Sequence, residues 1–162
     1  MTKREREITD EKELQDLLEG CLYLHLGLVD DGKPYIVPMN YGVDEREGKK
    51  ILYLHSAHVG RKLDIIRKNP VCCFTMERSI EPFTGRVACQ YGVAYECLMG
   101  TGTILFVDDV EEKIHGLKKL MKTQTGSEEF SFDERMASIV TVMRIEVDEI
   151  TGKRRPKKLH EE

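Results

Sequence analysis

Residues 52–70 read LYLHSAHVGRKLDIIRKNP, a strand-like apolar run that passes through a short turn into a short helical pattern. The helix is predicted to begin near Gly60. It is predicted to stop at Asn69, because Pro70 disfavours helical geometry in the residue before it. A strand, a tight turn and a helix therefore follow one another directly, and the rest of the fold is built around them.

The first turn of this helix carries two cations, Arg61 and Lys62. A helix N-terminus has unpaired amide N–H groups and about half a positive charge, so acids are the usual residues there. Two bases at that position, near the flexible Gly60 and the hydroxyl of Ser56, predict a site for an anion such as a phosphate. The alternative is that both cations extend into water, at a cost of roughly a few tenths of a kcal/mol.

Before this stretch the sequence predicts one helix and three strands. Asp10 followed by Glu13 is a capping-box pattern for an amphipathic helix that ends at Gly20. The pair Asp31-Gly32 is a strong hairpin signal. The three antiparallel strands are predicted at 21–29, 34–43 and 51–57, with turns at 30–33 and 44–50.

After this stretch the pattern alternates between strand and helix. A long extended run contains Gly100 and Gly102, which predict a bulge or bend. Asp109 with Glu112 begins the clearest helix, which ends at Gly126. The remaining elements are a strand at 71–77, a loop at 78–90, the extended run at 91–107, a helical turn near 129–138 and a final strand at 139–147. We predict an α+β fold, mainly antiparallel, in which the sheet closes into a small barrel with helices at its edges.

Length and composition predict one domain. The chain has 162 residues, of which 40% are hydrophobic, and this is enough for one core. We expect a single domain over residues 1–152. Residues 153–162 form a basic stretch interrupted by Pro156, and we expect a flexible, solvated tail there.

Charge and cysteine content exclude several classes of function. A net charge of -4 and a pI near 5.8 argue against a general nucleic-acid binder. No apolar segment approaches the ~20 residues that a bilayer span needs, and the charged start does not resemble a secretory signal, so we expect a cytoplasmic protein. The five cysteines form no CxxC pair, which favours reduced thiols. Cys72 and Cys73 would point to opposite faces of a strand, so no metal site is predicted.

Three segments together resemble the pyridoxamine 5'-phosphate oxidase-like flavin-binding proteins: YIVPMNYG at 35–42, LYLHSAHVGRKLDIIRKNPVCCF at 52–74 and YECLMGTGTILFVDDVEEKIHGLKKL at 95–120. The branch that they resemble most is the Nim type, associated with nitroimidazole reduction. The run VMRIEVDEITGK at 142–153 is also similar to that branch, so the resemblance extends from about residue 20 to 153.

The resemblance implies a split β-barrel of Greek-key type that forms a homodimer, with one FMN in each of two clefts at the subunit interface. The predicted anion turn and the phosphate site of the family fall on the same residues. Matched position by position, the phosphate turn corresponds to Ser56, Gly60, Arg61 and Lys62. The strand along the isoalloxazine ring corresponds to Val37, Pro38, Met39, Asn40 and Tyr41, the adjacent strand end to His55 and Ala57, and a further flavin-side segment to Tyr95 and Cys97.

The last segment departs from the branch. The branch usually has tyrosine, arginine and serine there, whereas this chain has Tyr95, Glu96 and Cys97. A cation is lost and a thiol replaces a hydroxyl, which puts contacts from this segment to the cofactor or to an acidic substrate in doubt.

Several single residues have two interpretations. His55 could donate a hydrogen bond to the flavin or transfer a proton to substrate, or it could be a structural histidine bonded to backbone. Met39 and Tyr41 could pack on a ring face, or belong to an ordinary half-buried strand. Cys97 could tune the flavin or act as a small apolar filler.

The function implied is a flavin-dependent oxidoreductase that passes electrons from a nicotinamide donor, NAD(P)H, to a small organic acceptor such as a nitroaromatic. One alternative is a non-catalytic flavin-binding or redox-sensing module. Another is haem binding through His55 or His58. A deazaflavin in place of FMN also stays open.

Overall fold

The computed structural model of the chain describes residues 4–157, which form one antiparallel sheet with helices packed on it. The strands are β1 (Glu7–Ile8), β2 (Leu24–Asp30), β3 (Lys33–Met39), β4 (Gly42–Arg46), β5 (Lys49–Ser56), β6 (Val71–Phe83), β7 (Gly92–Phe106) and β8 (Thr141–Arg155). The α-helices are α1 (Glu11–Gly20), α2 (Arg61–Lys68), α3 (Val110–Thr125) and α4 (Glu134–Ser138). Short 3-10 turns cover Arg4–Arg6 and Ala88–Gln90.

The strand order explains how the sheet closes. Neighbouring strands follow the order β3-β2-β6-β7-β8-β5-β4, and β1 adds to β8. The two ends of this order, β3 and β4, are separated in the chain by only Asn40 and Tyr41. Three peptide links span at most about 11 Å, so the opposite edges of the sheet must meet at this point. The predicted mainly antiparallel split barrel with flanking helices is confirmed.

The single strand predicted at 34–43 is wrong, because the chain breaks between β3 and β4. Tyr41 turns into the core, where its hydroxyl lies 2.6 Å from the carbonyl oxygen of Leu18. Gly42 then passes directly beneath α3, since a Cβ there would lie 2.3 Å from the backbone of Lys119 and Leu120. The break is therefore set by contacts with two helices that are distant in sequence.

The predicted hairpin at Asp31-Gly32 is confirmed, with φ values of 48° and 80°. The second turn is shorter than predicted. It occupies only Glu47 and Gly48, and Arg46 pairs with Lys49 across it. Charged residues along this exposed hairpin have the composition of a loop, although their backbone belongs to strands.

The loop predicted at 78–90 is also partly wrong. Strand β6 continues to Phe83, with an irregularity between Arg78 and Glu81 where Ser79 has a φ of 54°. This bulge breaks the alternation that marks a strand in sequence. The bulge predicted near Gly100 and Gly102 in the extended run is confirmed, since the register of β7 and β8 shifts between Thr101 and Gly102.

The final strand is longer than predicted. Strand β8 runs to Arg155, so Lys153, Arg154 and Arg155 pair with β7 and do not form the start of a flexible tail. Their charges are compatible with a strand because acids lie beside them, as Glu96 does beside Arg154. Residues 158–162 of the predicted tail lie outside the described residues.

The capping signals predicted at Asp10 and Asp109 are confirmed, and Asp133 provides a further cap that was not predicted. The side chains of Asp10, Asp109 and Asp133 each accept a hydrogen bond from a backbone N–H three residues later. Gly126 ends α3 in the left-handed conformation, with a φ of 79°. The helical turn predicted near 129–138 is shorter, because α4 covers only Glu134–Ser138. No helix among the described residues is both long enough and apolar enough to cross a membrane.

Two apolar clusters hold these elements together. The larger joins α1 and α2 to the inside of the barrel, and the smaller lies beneath α3 and α4. Leu63 and Ile66 anchor α2 in the larger cluster, and both are almost completely buried. Because α2 is fixed in this way, the turn that precedes it is fixed as well.

Candidate functional site

The turn between β5 and α2 presents an uncapped helix N-terminus. Strand β5 ends at Ser56 and α2 begins at Arg61, and no side chain caps its first turn. Gly60 has φ 151° and ψ 153°, a conformation that L residues rarely adopt. The other three α-helices within residues 4–157 all begin with an aspartate cap. The first amides of α2 therefore remain available to an acceptor outside the helix.

Ser56 adds a buried hydroxyl to the same turn. The residue is only 7% exposed, and its Oγ has no hydrogen-bond partner within residues 4–157. A buried polar group without a partner costs about 1–3 kcal/mol, so native proteins rarely keep one without a reason. A ligand oxygen would satisfy this group. The hydroxyl, the free amides and a nearby cation together form a donor set suited to a phosphate.

The two cations of the turn have different environments. Arg61 donates to Asp30 Oδ2 at 3.2–3.3 Å, and its guanidinium lies 5.0 Å from the centre of the Tyr35 ring. Lys62 is half-buried and has no ion pair within the described part of the chain. Lys62 is therefore the cation available to a ligand, whereas Arg61 would first have to leave Asp30.

His55 lies at the end of β5, opposite Val142 of β8. Desolvation lowers the pKa of its imidazole from the ordinary value of 6.5, and the charge of Lys62 lowers that pKa further. The residue is exposed in the single chain, and its ring makes no hydrogen bond to any residue between 4 and 157. The interpretation as a structural histidine bonded to backbone therefore finds no support. A neutral ring with free nitrogens can accept or donate one hydrogen bond to a ligand.

His58 differs from His55, because both of its ring nitrogens are engaged. Nε2 donates to the carbonyl oxygen of Ser138 at 2.9 Å, and Nδ1 accepts from the Thr141 hydroxyl at 3.1 Å. These bonds tie the turn to the end of α4 and the start of β8. Haem ligation through His58 would break one of them. Ala57, between the two histidines, is exposed.

The predicted ring-side strand forms the end of β3 and the break after it. Val37 is half-buried against the core, and Met39 is buried within it. Pro38 is exposed. Asn40 is also exposed, and its side chain donates to Gln124 Oε1 at 3.0 Å.

Tyr41 is completely buried, so the prediction that its side chain could pack on a ring face is wrong. Its hydroxyl lies 2.6 Å from the carbonyl oxygen of Leu18 and 3.0 Å from that of Cys21, at the C-terminal end of α1. Burial raises the pKa of the phenol far above its ordinary range. Tyr41 is a structural residue that fixes the break between β3 and β4.

Tyr95 and Cys97 are in register with a different end of β8 from the turn. Cys97 pairs with Lys153 on β8, whereas Ser56 pairs with Thr141 on the same strand. These two positions of β8 are twelve residues apart, which is roughly 40 Å of extended strand at about 3.3 Å per residue. The two predicted parts of the site therefore adjoin opposite ends of β8.

The departure at Glu96 and Cys97 has a local explanation. Glu96 accepts from Arg78 Nε at 2.9 Å and from Arg154 Nε at 2.7 Å. Burial alone would raise the pKa of Glu96, but the hydrogen bonds from the two arginines lower it. Burial raises the pKa of the Cys97 thiol, and the negative charge of Glu77 raises that pKa further. A protonated, buried thiol acts as a small apolar filler, not as a nucleophile.

An apolar groove that the sequence did not predict lies on the outer face of β2, β3, β6, β7 and β8. It has a volume of about 380 Å³. Ile36 and Met99 line it and are 68% and 57% exposed. A larger cavity of about 630 Å³ lies between α1 and the β4–β5 hairpin. The Ser56–Lys62 turn lines neither of them. An alternation count on β3 and β7 would have found the groove, because Ile36 and Met99 occupy outward positions.

The described residues show no metal centre. Between residues 4 and 157, no three His, Cys, Asp or Glu side chains come together as a metal would require. All five cysteines are free thiols.

Comparisons with known proteins agree with this architecture. The family model for pyridoxamine 5'-phosphate oxidase matches residues 10–154. A solved structure of a candidate 5-nitroimidazole antibiotic resistance protein from Bacteroides thetaiotaomicron shares 30% identity, with a TM-score of 0.77 over 91% of this chain and 85% of that one. No curated protein sequence matches the chain.

Two more distant structures show the fold alone. An FAD-binding protein from Mesorhizobium loti is 19% identical, with a TM-score of 0.67 over 93% of this chain and 98% of that one. An FAD- and haem-binding protein from Mycobacterium smegmatis is 17% identical, with a TM-score of 0.79 over 97% of this chain and 77% of that one. The chain belongs to the pyridoxamine 5'-phosphate oxidase family and resembles its Nim-type branch.

Proposed function

We propose that this protein binds a flavin through its 5'-phosphate, FMN being the simplest such cofactor, in the turn from Ser56 to Lys62. The observation that carries the proposal is the Ser56 hydroxyl, which is buried and without a partner in the described structure beside an uncapped helix N-terminus. Family membership and the FAD-binding relative support a flavin as the phosphate-bearing ligand.

Each residue of the turn would have a separate task. The Ser56 hydroxyl and the first amides of α2 would donate to phosphate oxygens, and Lys62 would add a charge-assisted bond. Gly60 leaves open space at the turn, since no atom lies within 4 Å of the position that a Cβ would occupy. His55, with its lowered pKa, would stay neutral near pH 7 and hold a single hydrogen bond to cofactor or substrate. The bound flavin would supply the redox chemistry.

The activity that we propose is electron transfer from NAD(P)H to a small organic acceptor, a nitroaromatic being the first to test. Its support is the 30% identity to a candidate 5-nitroimidazole resistance protein. In this reaction the chain would bind and orient the two partners and exclude water, because no strong acid, base or nucleophile lies in the described turn. A flavin-binding module that only senses redox state is the alternative.

We further propose a homodimer in which each flavin contacts two chains. Ser56 and Cys97 pair with positions of β8 that are twelve residues apart, so in this arrangement the Ser56–Lys62 turn of one chain and the Tyr95–Cys97 segment of its partner would contact the same flavin. The outer groove with Ile36 and Met99 offers an apolar face for the contact between chains. Val71 is a further exposed apolar side chain of the same sheet, at 60% exposure.

The experiment is purification followed by absorption spectroscopy and mass analysis of the small molecule that co-purifies. A flavin spectrum that bleaches under NADPH or NADH without air, and recovers when a nitroaromatic is added, supports the oxidoreductase. A flavin that no nicotinamide reduces supports the sensing module instead. A haem spectrum without flavin would assign the site to haem, with His55 as the candidate ligand. A colourless protein that shows no heat of binding with added FMN or FAD would refute flavin binding.

A further inference from the structure

His58 connects the candidate phosphate turn to two elements that are distant in sequence. Its Nε2 donates to the carbonyl oxygen of Ser138, the last residue of α4, at 2.9 Å. Its Nδ1 accepts from the hydroxyl of Thr141, the first residue of β8, at 3.1 Å. The other residues between β5 and α2 have no polar side chain: Ala57, Val59 and Gly60. His58 therefore supplies the polar side-chain contacts of this turn.

Helix α4 has few other attachments. It has five residues, whereas an isolated helix in water needs roughly 12–15. Ala137 is its one buried residue, and Asp133 caps its first turn by accepting from the Met136 N–H at 2.7 Å. At the other end, where helix carbonyls lack partners within the helix, His58 binds the carbonyl of Ser138. A short, mostly exposed helix of this kind is among the elements of a protein that open most easily.

The turn and the end of α4 thus depend on the same imidazole ring. Strand β5 pairs with β8 as far as Ser56 and Thr141, and the bonds of His58 continue this connection to α4. A phosphate held by Ser56, Lys62 and the first amides of α2 would fix the turn in the conformation in which His58 reaches Ser138. Fixing that conformation in advance lowers the entropic cost of the bond to α4.

We propose that His58 is a positioning residue that couples flavin binding in the turn to the packing of α4. This inference rests on the proposed flavin site. A bound flavin makes the release of α4 less frequent, and the release of α4 weakens flavin binding by the same factor, because coupling between two sites is reciprocal. The flavin-bound and flavin-free proteins then differ at α4, a surface element outside the phosphate turn.

The test is amide hydrogen exchange of α4, measured in the apo-protein and with saturating FMN. The N–H groups of Met136 and Ala137 are both hydrogen-bonded to Asp133, and their exchange should slow about tenfold when FMN binds. In His58→Ala, FMN added to saturation for that variant should leave this exchange unchanged. His58→Gln should restore part of the slowing, because its amide keeps one donor and one acceptor.

Two further variants keep the test independent of the folding of His58→Ala. Thr141→Val preserves the shape of the side chain but removes one of the two bonds to His58, so the slowing should fall to about threefold. His115→Ala is the matched control. His115 is bonded to Asp44 at 2.7 Å and joins α3 to β4, so its loss should leave the tenfold slowing intact.

The remaining outcomes overturn the inference. If FMN binds the wild type without slowing exchange in α4, or if the full slowing persists in both His58→Ala and Thr141→Val, His58 does not couple the two elements and the flavin site still stands. If His115→Ala abolishes the slowing as completely as His58→Ala does, the response is a general change in stability. If neither FMN nor FAD binds the wild type, this inference and the proposed function fail together.

Discussion

The carboxylate of Glu96 accepts a hydrogen bond of 2.7 Å from Arg154 Nε. Its other oxygen accepts from Arg78 Nε at 2.9 Å, so one acid on β7 connects β6 to β8. Arg78 also donates to the carbonyl oxygen of Asp16 at 2.7 Å, which extends the connection to α1. In sequence, Glu96 stands where the branch usually has an arginine, within a segment expected to contact the cofactor. In the structure it accepts hydrogen bonds from two cations, which join β6, β7 and β8.

Replacing Glu96 with alanine should lower the free energy of unfolding by about 1–3 kcal/mol, because two partly buried guanidinium groups lose their shared acceptor. The Glu96 side chain is only 17% exposed, so water cannot fully replace it. Urea denaturation measures the change. Glu129→Ala is the control, since Glu129 is exposed and has no ion pair within the described part of the chain. Equal stabilities of the two variants would contradict this role for Glu96.

Local signals in the sequence were sufficient wherever a few neighbouring residues determine the backbone. Asp10, Asp109 and Gly126 predicted helix ends correctly, because a cap needs only contacts within one turn. The Asp31-Gly32 hairpin was predicted for the same reason. The start of α2 at Arg61 belongs to this class as well, whereas binding of an anion at 56–62 stays a prediction.

Features that depend on residues distant in sequence could not be predicted. The break at Asn40 and Tyr41 is set by carbonyls of α1 and by the backbone of α3. The pairing of Arg61 with Asp30 joins residues 31 positions apart, so the charge pattern alone could not show that Arg61 has an acidic partner. The basic composition at the end of β8 indicates a tail when read alone. In the structure, acids on other elements pair with these bases and stabilise the strand.

Lys62→Ala should weaken flavin binding about ten- to a hundredfold, because it removes a charge-assisted bond to phosphate worth roughly 1.5–3 kcal/mol. The fold should be unchanged, since Lys62 has no ion pair between residues 4 and 157. Fluorescence titration of apo-protein gives the Kd. Lys68→Ala, at the other end of α2 with a side chain that is 63% exposed, is the matched control and should bind normally. If both variants bind as the wild type does, the phosphate does not contact Lys62.

Ser56→Ala should have opposite effects on the empty and the flavin-bound protein. Removing a buried hydroxyl that has no partner in the described structure should stabilise the apo-protein by about 1 kcal/mol. The same change should weaken flavin binding about fivefold, because one donor to phosphate is lost. Thr75→Val is the contrasting variant: its hydroxyl donates to the carbonyl oxygen of Leu98 at 2.9 Å, so its loss should destabilise the protein. An apo-protein destabilised by Ser56→Ala would show that the hydroxyl already has a partner.

The stability of the apo-protein should decrease as the pH falls from 7.5 to 5.5, because the pKa of His55 is lower in the folded state than its ordinary 6.5. The unfolded chain then binds more protons across this window, so acid favours unfolding. The folded-state pKa values of Asp44 and Glu96 lie below the ordinary 3.8 and 4.5, so their stabilisation is lost only at lower pH. Urea denaturation at the two pH values should show a smaller loss for His55→Asn than for the wild type. Phosphate bound at the turn should also reduce this loss of stability, because its negative charge offsets the positive charge of Lys62. An identical pH dependence in variant and wild type would exclude His55 as the titrating group.

Two defective variants should restore one flavin site when they share a dimer. The first, Lys62→Glu, damages the turn, and the second, Tyr95→Ala/Cys97→Trp, damages the distant segment; each homodimer should bind flavin poorly. In a mixed dimer, one site combines both damaged parts and the other combines the intact turn of one chain with the intact segment of its partner. Because random mixing makes half of the dimers mixed, about a quarter of the wild-type flavin load should return after co-refolding.

The recovered load separates the dimer arrangement from its alternative. If each flavin contacted a single chain, the site of every chain would contain that chain's own damaged turn or damaged segment. Mixing the two variants would then restore no flavin site. The roughly 40 Å of β8 between the partners of Ser56 and Cys97 makes recovery the expected result. A Met99→Asp substitution in both variants is the control, because a charge in the apolar groove should prevent the chains from pairing and abolish the recovery.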